Sequence, residues 1–213
     1  RPPKVHILDL CCGTGQLAQA LITRGYRVTG LDGSAQMLRF ARENTPMGEF
    51  TLDDARSFEL STICHGVIST FDSLNHIMSL EEMTSVFRNV YAVLAEGGLF
   101  LFDLNMEEGY KSRWRGSFNI VEDDHVCVVR ASYYPEERLG KNDITMFHLE
   151  NGWIRSDLTL VQKCYSESEI WSALEVVGFT DVDTYDAQRD LELTESIGRS
   201  FFVCHKPGRI NAG

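Results

Sequence analysis

Residues 8–15 read Leu-Asp-Leu-Cys-Cys-Gly-Thr-Gly and follow directly on an apolar run that starts at residue 5. No other segment constrains the fold as much. The run predicts a buried strand over residues 5–10, and the residues after it predict a helix over 16–24. Between them, Gly13 and Gly15 make a turn with no Cβ to hold a ligand away from the backbone. A second strand is expected over 26–31. It leads into Asp32, seventeen residues after Gly15. Strand, glycine turn, helix, strand and acid together describe a site for an adenosine-bearing cofactor, with Asp32 placed to accept hydrogen bonds from ribose hydroxyls.

The glycines alone leave two cofactors open. Gly13-Thr-Gly15-Gln-Leu-Ala18 also fits the dinucleotide pattern, with Ala in its third small position. Asp9 tilts the choice. A dinucleotide sets its pyrophosphate against the turn and the helix N-terminus, where a carboxylate is unhelpful. A carboxylate at the strand end suits a ligand with positive charge. S-adenosylmethionine carries an ammonium and a sulfonium and no phosphate, so the residues favour it over NAD without closing the NAD reading.

With these motifs in order, the chain resembles the class I S-adenosylmethionine-dependent methyltransferases over about residues 5–205. The resemblance implies an α/β fold, a doubly wound, mostly parallel seven-stranded sheet of Rossmann-like type. It implies that Asp9, Cys11, Gly13 and Gly15 hold the methionine part of the cofactor. Asp32, in a stretch with Gly33 and Met37, would hold the ribose. Asp54 and Ala55 would hold the adenine, with Arg56 pairing locally. A fourth strand over 66–70 runs into Phe71-Asp72-Ser73-Leu74-Asn75-His76, similar to the family's cofactor-and-substrate edge. Phe71 and Leu74 are assigned to the cofactor side, Asp72 and Asn75 to the substrate side. Residues 94–98 lead into a fifth strand over 99–103, after which Asp103 and Asn105 are placed to orient a substrate amine or hydroxyl, or to cap a turn. His76 is the candidate general base, since imidazole titrates near neutral pH; its alternative is a polar residue opening a helix. Such enzymes usually have helices before the first strand, so a segment preceding Arg1 is expected to contribute to the site.

Strand and helix alternate through residue 105, which implies a parallel sheet wound on both faces. Ser34 is expected to cap a helix with Met37, Leu38 and Ala41 on one face. Ser79 and Glu82 form a capping-box pattern. It opens a helix with Met83, Val86, Phe87, Val90, Val93 and Leu94 on one stripe, closed by Gly97-Gly98. Residues 106–165 then show no convincing helix. They read as antiparallel strands at 118–122, 125–134, 144–149 and 153–164, with turns at 135–140 and 150–152. This gives a cofactor-binding domain of residues 1–105 and 166–213, and an inserted antiparallel subdomain of 106–165. The insertion is similar to that of sugar-amine N,N-dimethyltransferases, which implies a substrate cover or a homodimer contact. Ser166 and Glu169 open a last helix with Ile170, Leu174 and Val177 on its buried stripe, ended by Gly178. An antiparallel strand pair is expected at 181–185 and 201–205. The polar loop between them, 186–200, is long enough to reach the mouth of the site.

The net charge of −11 argues against a nucleic-acid substrate, which needs a basic surface. No apolar run is long enough to span a membrane. Six cysteines without a CxxC pair or regular spacing read as reduced thiols of a cytoplasmic protein, with no zinc or other metal site. His6 is expected in the core. Tyr110, Trp114, Tyr133, Tyr134 and Trp153 either line a substrate pocket or pack the inserted sheet. Methyl transfer is an in-line displacement that depends mainly on holding its partners on one axis. The predicted reaction is therefore transfer to N or O of a small-molecule acceptor, with N ahead of O. The alternatives are an NAD-dependent oxidoreductase and a non-catalytic cofactor-binding module. No Tyr-x-x-x-Lys pair occurs in the chain, which removes the commonest short-chain form of the former.

Overall fold

The computed structural model describes residues 5–208. The expected segment before Arg1, and the domain ends 1–4 and 209–213, lie outside the described residues. Strand β1 (His6–Leu10) is buried at every position. It is followed by α1 (Gln16–Thr23), β2 (Arg27–Asp32), α2 (Ala35–Asn44), β3 (Glu49–Leu52), β4 (Cys64–Ser69), a 3-10 turn (Ser73–His76), α3 (Leu80–Val93) and β5 (Leu94–Asn105). Then come α4 (Glu107–Arg113), β6 (Gly116–Val121), β7 (His125–Tyr134), β8 (Leu139–Leu149), β9 (Trp153–Lys163), α5 (Glu167–Val177), β10 (Thr180–Asp186) and β11 (Arg199–His205).

Seven strands form one sheet in the order β10-β11-β5-β4-β1-β2-β3. The five from β3 to β5 pair in parallel, while β11 lies antiparallel between β5 and β10. The expected doubly wound sheet, with its antiparallel closing pair, is thus formed. Strands β6 to β9 make a separate antiparallel sheet. Its edge strand β6 is exposed along its whole length, and the other edge, β9, is exposed over its first eight residues. The end of β9 meets the 3-10 turn, α4 packs between β5 and β7, and Arg138 of the β7–β8 turn binds Glu169 of α5.

The core lies between the large sheet and helices α3 and α5. The apolar stripe of α3 (Met83, Val86, Phe87, Val90 and Val93) is buried against Phe100, Phe102 and Phe202. Phe102 stacks on Phe202 at 5.0 Å and on Phe100 at 4.7 Å between ring centroids. Each such buried ring stabilises the fold by about 1.5–3 kcal/mol. His6 is buried beneath the sheet end, with Nε2 2.9 Å from Thr29 Oγ1.

Several local expectations change. Leu94 starts β5 instead of ending α3, and Gly97-Gly98 sit inside that strand, at an irregularity in its pairing with β4. The backbone there pairs with Lys206, so the glycines make a bulge and not a helix cap. Ser79 caps α3 by accepting from Glu82 N, but the Glu82 carboxylate turns away to Arg56, so the capping box is only half made. At Ser166–Glu169 both halves are present. Met37 is exposed, while Leu38 and Ala41 form the buried face of α2. Helix α4 stands where no helix was predicted. It is seven residues long, has no capping side chain and contains Gly109, which together hide it from a pattern search. Its acids in the first turn and cations in the last are the signal that was available. Tyr110 and Trp114 pack with Tyr133 and Cys164 into a small second core, whereas Tyr134 and Trp153 are exposed on the inserted sheet.

Candidate active site

The loop after β1 is shaped by three left-handed residues, Cys11, Gly13 and Gly15. Gly15 is tightly packed as well as left-handed: a Cβ there would lie 3.1 Å from Ala41 Cβ and 3.3 Å from the Phe50 ring. Asp32, at the end of β2, holds this loop. Its Oδ2 accepts from Gly13 N and its Oδ1 from Ser34 N, both at 2.8 Å. Each oxygen keeps a lone pair for another donor.

A cavity of about 240 Å³ opens against the loop, bounded by Asp9, Cys11, Gly13, Gln16 and Phe71 among others. Asp9 is 3% exposed and its Oδ2 has no hydrogen-bond partner among the described residues. Burial, reinforced by the charge of Asp32 and opposed by the Ala18 N–H, pushes its carboxyl up to about 7. Burial likewise pushes the Cys11 thiol up to about 12, so it stays a neutral wall.

A second cavity, of about 350 Å³, shares Leu17, Thr70 and Phe71 with the first. Asp103, Leu193, Ser196, Arg199 and Phe201 complete it. Leu193 and Ser196 come from the 186–200 loop, which therefore does reach the site. Phe71 and Asp72, at the end of β4, are successive non-glycine residues in the left-handed region (φ 63° and 51°). Residues like these cost about 1–3 kcal/mol each. The turn leaves Phe71 83% exposed over the cavities.

Behind this wall lies a closed polar network. Arg199 binds Asp103 Oδ2 through Nη1, and Asp72 Oδ1 through Nη2 at 2.6 Å. Asp72 N donates to Asp103 Oδ2 at 3.1 Å. Asp103 Oδ1 is buried without a partner among the described residues. Burial raises its carboxyl above the usual range, and the Arg199 charge opposes the rise. Gln162, on β9, is the hub. Its Nε2 donates to Asp72 Oδ2 at 2.5 Å and to His76 Nε2 at 3.3 Å. Its Oε1 accepts from Tyr110 Oη at 3.0 Å and Asn105 Nδ2 at 3.3 Å. The Val161 carbonyl, 2.9 Å from His76 Nδ1, can only accept, so Nδ1 carries the proton and Nε2 accepts from Gln162.

These contacts redistribute the predicted roles. Both His76 nitrogens are engaged, so no lone pair is left free for a general base. Asn75 is fully buried and braces the fold: Nδ2 donates to the Asn105 and Lys163 carbonyls, and Oδ1 accepts from Asn105 N. Asn105 is buried as well, bonded to Gln162 and Arg113. Asn75 lines neither of these cavities, and Asn105 holds Arg113 and Gln162 instead of offering a free amide. Leu74 is wholly buried in the main core, and its side chain does not line the loop cavity. Asp54 is held by Arg56 through paired bonds of 2.9 Å and 2.6 Å, which draw its carboxyl down to about 2. Arg56 also reaches Glu82, so its local pairing is as expected. Gly33 and Met37 are exposed near the end of β2, and Ala55 is buried.

Two participants were not named from the sequence. Arg199 lies at the end of the loop that was singled out, among other polar residues that do not distinguish it. Gln162 sits on an imperfectly alternating strand between Val161 and Lys163. Nothing in that pattern marks a polar residue that is buried. Among the described residues, no group of three or more His, Cys, Asp or Glu stands close enough to hold a metal ion.

Residues 7–98 match the family model of a methyltransferase domain. A putative methyltransferase, YqeM of Bacillus subtilis, is 28% identical over 98% of this chain and 87% of its own length. The dTDP-3-amino-3,4,6-trideoxy-alpha-D-glucopyranose N,N-dimethyltransferase of Streptomyces venezuelae is 27% identical over 64% of this chain and 57% of its own. The crystal structure of an S-adenosylmethionine-dependent methyltransferase from Clostridium acetobutylicum superposes with a TM-score of 0.83. It is 21% identical, over 97% of this chain and 85% of that one. Fold and site define a Rossmann-like transferase. Over residues 7–98 the chain carries a methyltransferase domain, and along its length it is similar to S-adenosylmethionine-dependent methyltransferases, sugar-amine dimethyltransferases among them.

Proposed function

We propose that this enzyme methylates the amine nitrogen of a small molecule in the cytoplasm. The observation that carries the reading is a pair of buried carboxylate oxygens without partners among the described residues, Asp9 Oδ2 and Asp103 Oδ1, on residues that line two cavities sharing one wall. A buried acceptor left unsatisfied costs about 1–3 kcal/mol, so each is a place where a ligand donor is favoured.

The loop fits S-adenosylmethionine. Asp9 receives positive charge, the glycine turn lets backbone approach, and Asp32 has lone pairs left for ribose hydroxyls. Met37, Gly33 and Ala55 flank the nucleoside side. Asp54 would contact adenine only through whatever acceptor capacity Arg56 leaves. When bound, S-adenosylmethionine supplies an electrophilic methyl carbon on a cationic sulfur. The chain's own task is positioning, which contributes about 7–11 kcal/mol at best.

On the acceptor side, Asp103 Oδ1 accepts a hydrogen bond from the amine and orients its lone pair. With its carboxyl raised by burial, Asp103 is suited to take a proton from an ammonium. His76 and Asp72 act through Gln162 as positioning residues. Residues 106–165 form the cover of the acceptor side, and Gln162 is the side chain that anchors that cover to the catalytic sheet. The aminosugar specificity in the name of the Streptomyces venezuelae relative supports a nitrogen acceptor. All six cysteines are free thiols, which suits a reducing compartment.

The test is release of S-adenosylhomocysteine from S-adenosylmethionine over matched panels of small amines and alcohols. The proposal predicts turnover with amines that Asp103→Asn lowers while cofactor affinity holds. Turnover with alcohols alone, or an Asp103→Asn variant at the wild-type rate, would refute it.

A further inference from the structure

We propose that the cavity on the insertion side of Arg199 receives a carboxylate carried by the methyl acceptor, and that Arg113 binds it. The inference rests on the methyltransferase reading above and narrows the acceptor to an amine that also bears a carboxylate.

This cavity, of about 220 Å³, is separate from the two already described. Its wall includes Asp72, Asn105, Arg113, Trp114, Asn142 and Arg199. Arg199 lines it and the Asp103 cavity alike, so a ligand group here sits beside the acceptor site. Arg113 is the unusual member. Its Nη2 donates to the neutral Asn105 Oδ1 at 2.7 Å, and among the described residues it forms no ion pair, although the chain carries a net charge of −11. Burial and the charge of Arg199 both pull its pKa down, with Asp72 only partly opposing them. The guanidinium therefore stands in a field that disfavours a cation and favours an incoming anion.

The one carboxylate in that wall does not serve Arg113. Asp72 is engaged elsewhere, Oδ1 with Arg199 and Oδ2 with Gln162, and makes no ion pair with Arg113. Two guanidiniums thus face one committed carboxylate. A planar guanidinium fork matches a carboxylate in two parallel hydrogen bonds, which a point-like ammonium does not. Asn142 Oδ1 is buried and without a partner among the described residues, and gives a ligand N–H or O–H an acceptor. Arg113 ends α4, where the helix dipole also favours a cation. That preference accounts for its charge but not for its opening onto a cavity beside a second arginine. The same acceptor can then place its amine toward Asp103 and its carboxylate toward Arg113, on the two sides of Arg199.

The experiment compares amino acids, the corresponding decarboxylated amines and phosphomonoesters as acceptors or ligands. Titration calorimetry is run with S-adenosylhomocysteine present, and kcat/KM is measured with S-adenosylmethionine. The wild type is expected to prefer the amino acids. Arg113→Gln should shrink that preference about 10- to 100-fold, the scale of charge-assisted hydrogen bonds, through KM more than kcat. Arg113→Lys should recover part of it. Circular dichroism and unchanged S-adenosylhomocysteine affinity would show the variants folded. Equal use of amines with and without a carboxylate, tighter binding of phosphomonoesters, or a preference untouched by Arg113→Gln would overturn the proposal while leaving the methyltransferase reading standing. Failure of the wild type to bind S-adenosylhomocysteine would overturn both.

Discussion

Replacing Asp9 by Asn removes a carboxylate that is 3% exposed and has one oxygen without a partner. In the folded chain burial raises its carboxyl from 3.8 to about 7. The folded state therefore holds the proton more tightly than the unfolded chain does. The stability this confers is complete below pH 3.8 and is lost as the pH rises through about 7. The gap corresponds to about 4 kcal/mol, lost in full above the folded value. At pH 5 only about 1–2 kcal/mol of it is lost, because that pH lies little more than a unit above the unfolded value. An Asn side chain adds its own cost, about 1–3 kcal/mol for an unpaired amide group, but that cost does not depend on pH. The informative quantity is thus a difference. Relative to wild type, Asp9→Asn should be better placed at pH 8 than at pH 5 by about 2–3 kcal/mol. Urea denaturation at the two pH values, followed by circular dichroism, measures it. In melting temperature the same difference is about 5–10 °C for a domain of this size. Cofactor binding should move the other way. Wild-type affinity for S-adenosylmethionine should fall as pH drops below about 7, by up to about tenfold per unit, and the variant should be weak and flat. An effect of Asp9→Asn on stability that is equal at both pH values would refute the argument.

Asp32→Ala removes the acceptor for Gly13 N and Ser34 N and should weaken S-adenosylhomocysteine binding by about 1.5–3 kcal/mol, read by calorimetry. Unchanged affinity would remove Asp32 from the ribose site. Gly198→Ala would set a Cβ 1.9 Å from Gly109 N at a φ of +66°. It should cost at least about 4 kcal/mol and move the urea midpoint accordingly; a wild-type midpoint would contradict the close packing of α4 on the strand ends. Gln162→Leu leaves Asp72, His76, Asn105 and Tyr110 each short of a bond, and should cost about 3–5 kcal/mol in the same assay. A cost below about 1 kcal/mol would show that the network closes without it.

What could be read along the chain was whatever local pattern encodes. The loop of Asp9 to Gly15, the acid at Asp32 and the strand-helix alternation rest on residues within one supersecondary unit. A parallel sheet wound on both faces followed from them, but its strand order did not. The inserted sheet was legible as a run of alternating strands, yet α4 was not, because a seven-residue helix without a cap gives periodicity almost nothing to register. Asn75 and Asn105 illustrate a different limit. Polar residues at a strand end look like substrate ligands until the structure shows them bonded to one another's backbone and side chains. Gln162 and Arg199 are the reverse case. Their roles exist only because β9 comes to lie against the turn after β4 and β11 beside β5, across separations of 90 and 127 residues from Asp72. No window along the chain contains both partners.

The position of the site follows from topology. In the order β5-β4-β1-β2-β3, the chain runs one way from β1 to β2 and β3, then crosses over to β4 and β5 on the other side of β1. The connections leave β1 and β4 in opposite directions, so a crevice opens outside their carboxyl ends. The unfavourable features converge there. Asp9 and Asp103 lie near the carboxyl ends of β1 and β5, each with a buried oxygen unpaired among the described residues, and Phe71–Asp72 leave β4 in the left-handed region. Distributed at random, such features would sit anywhere on the sheet. Gathered at the crevice, they are costs of a few kcal/mol that the phenylalanine core beneath offsets and that a bound ligand relieves. Saturating S-adenosylhomocysteine at a hundred times its Kd should then add about 2.7 kcal/mol to stability. A concentration chosen so at pH 8 should add less at pH 5, since at the lower pH Asp9 is already neutral before a cation arrives and Kd is higher.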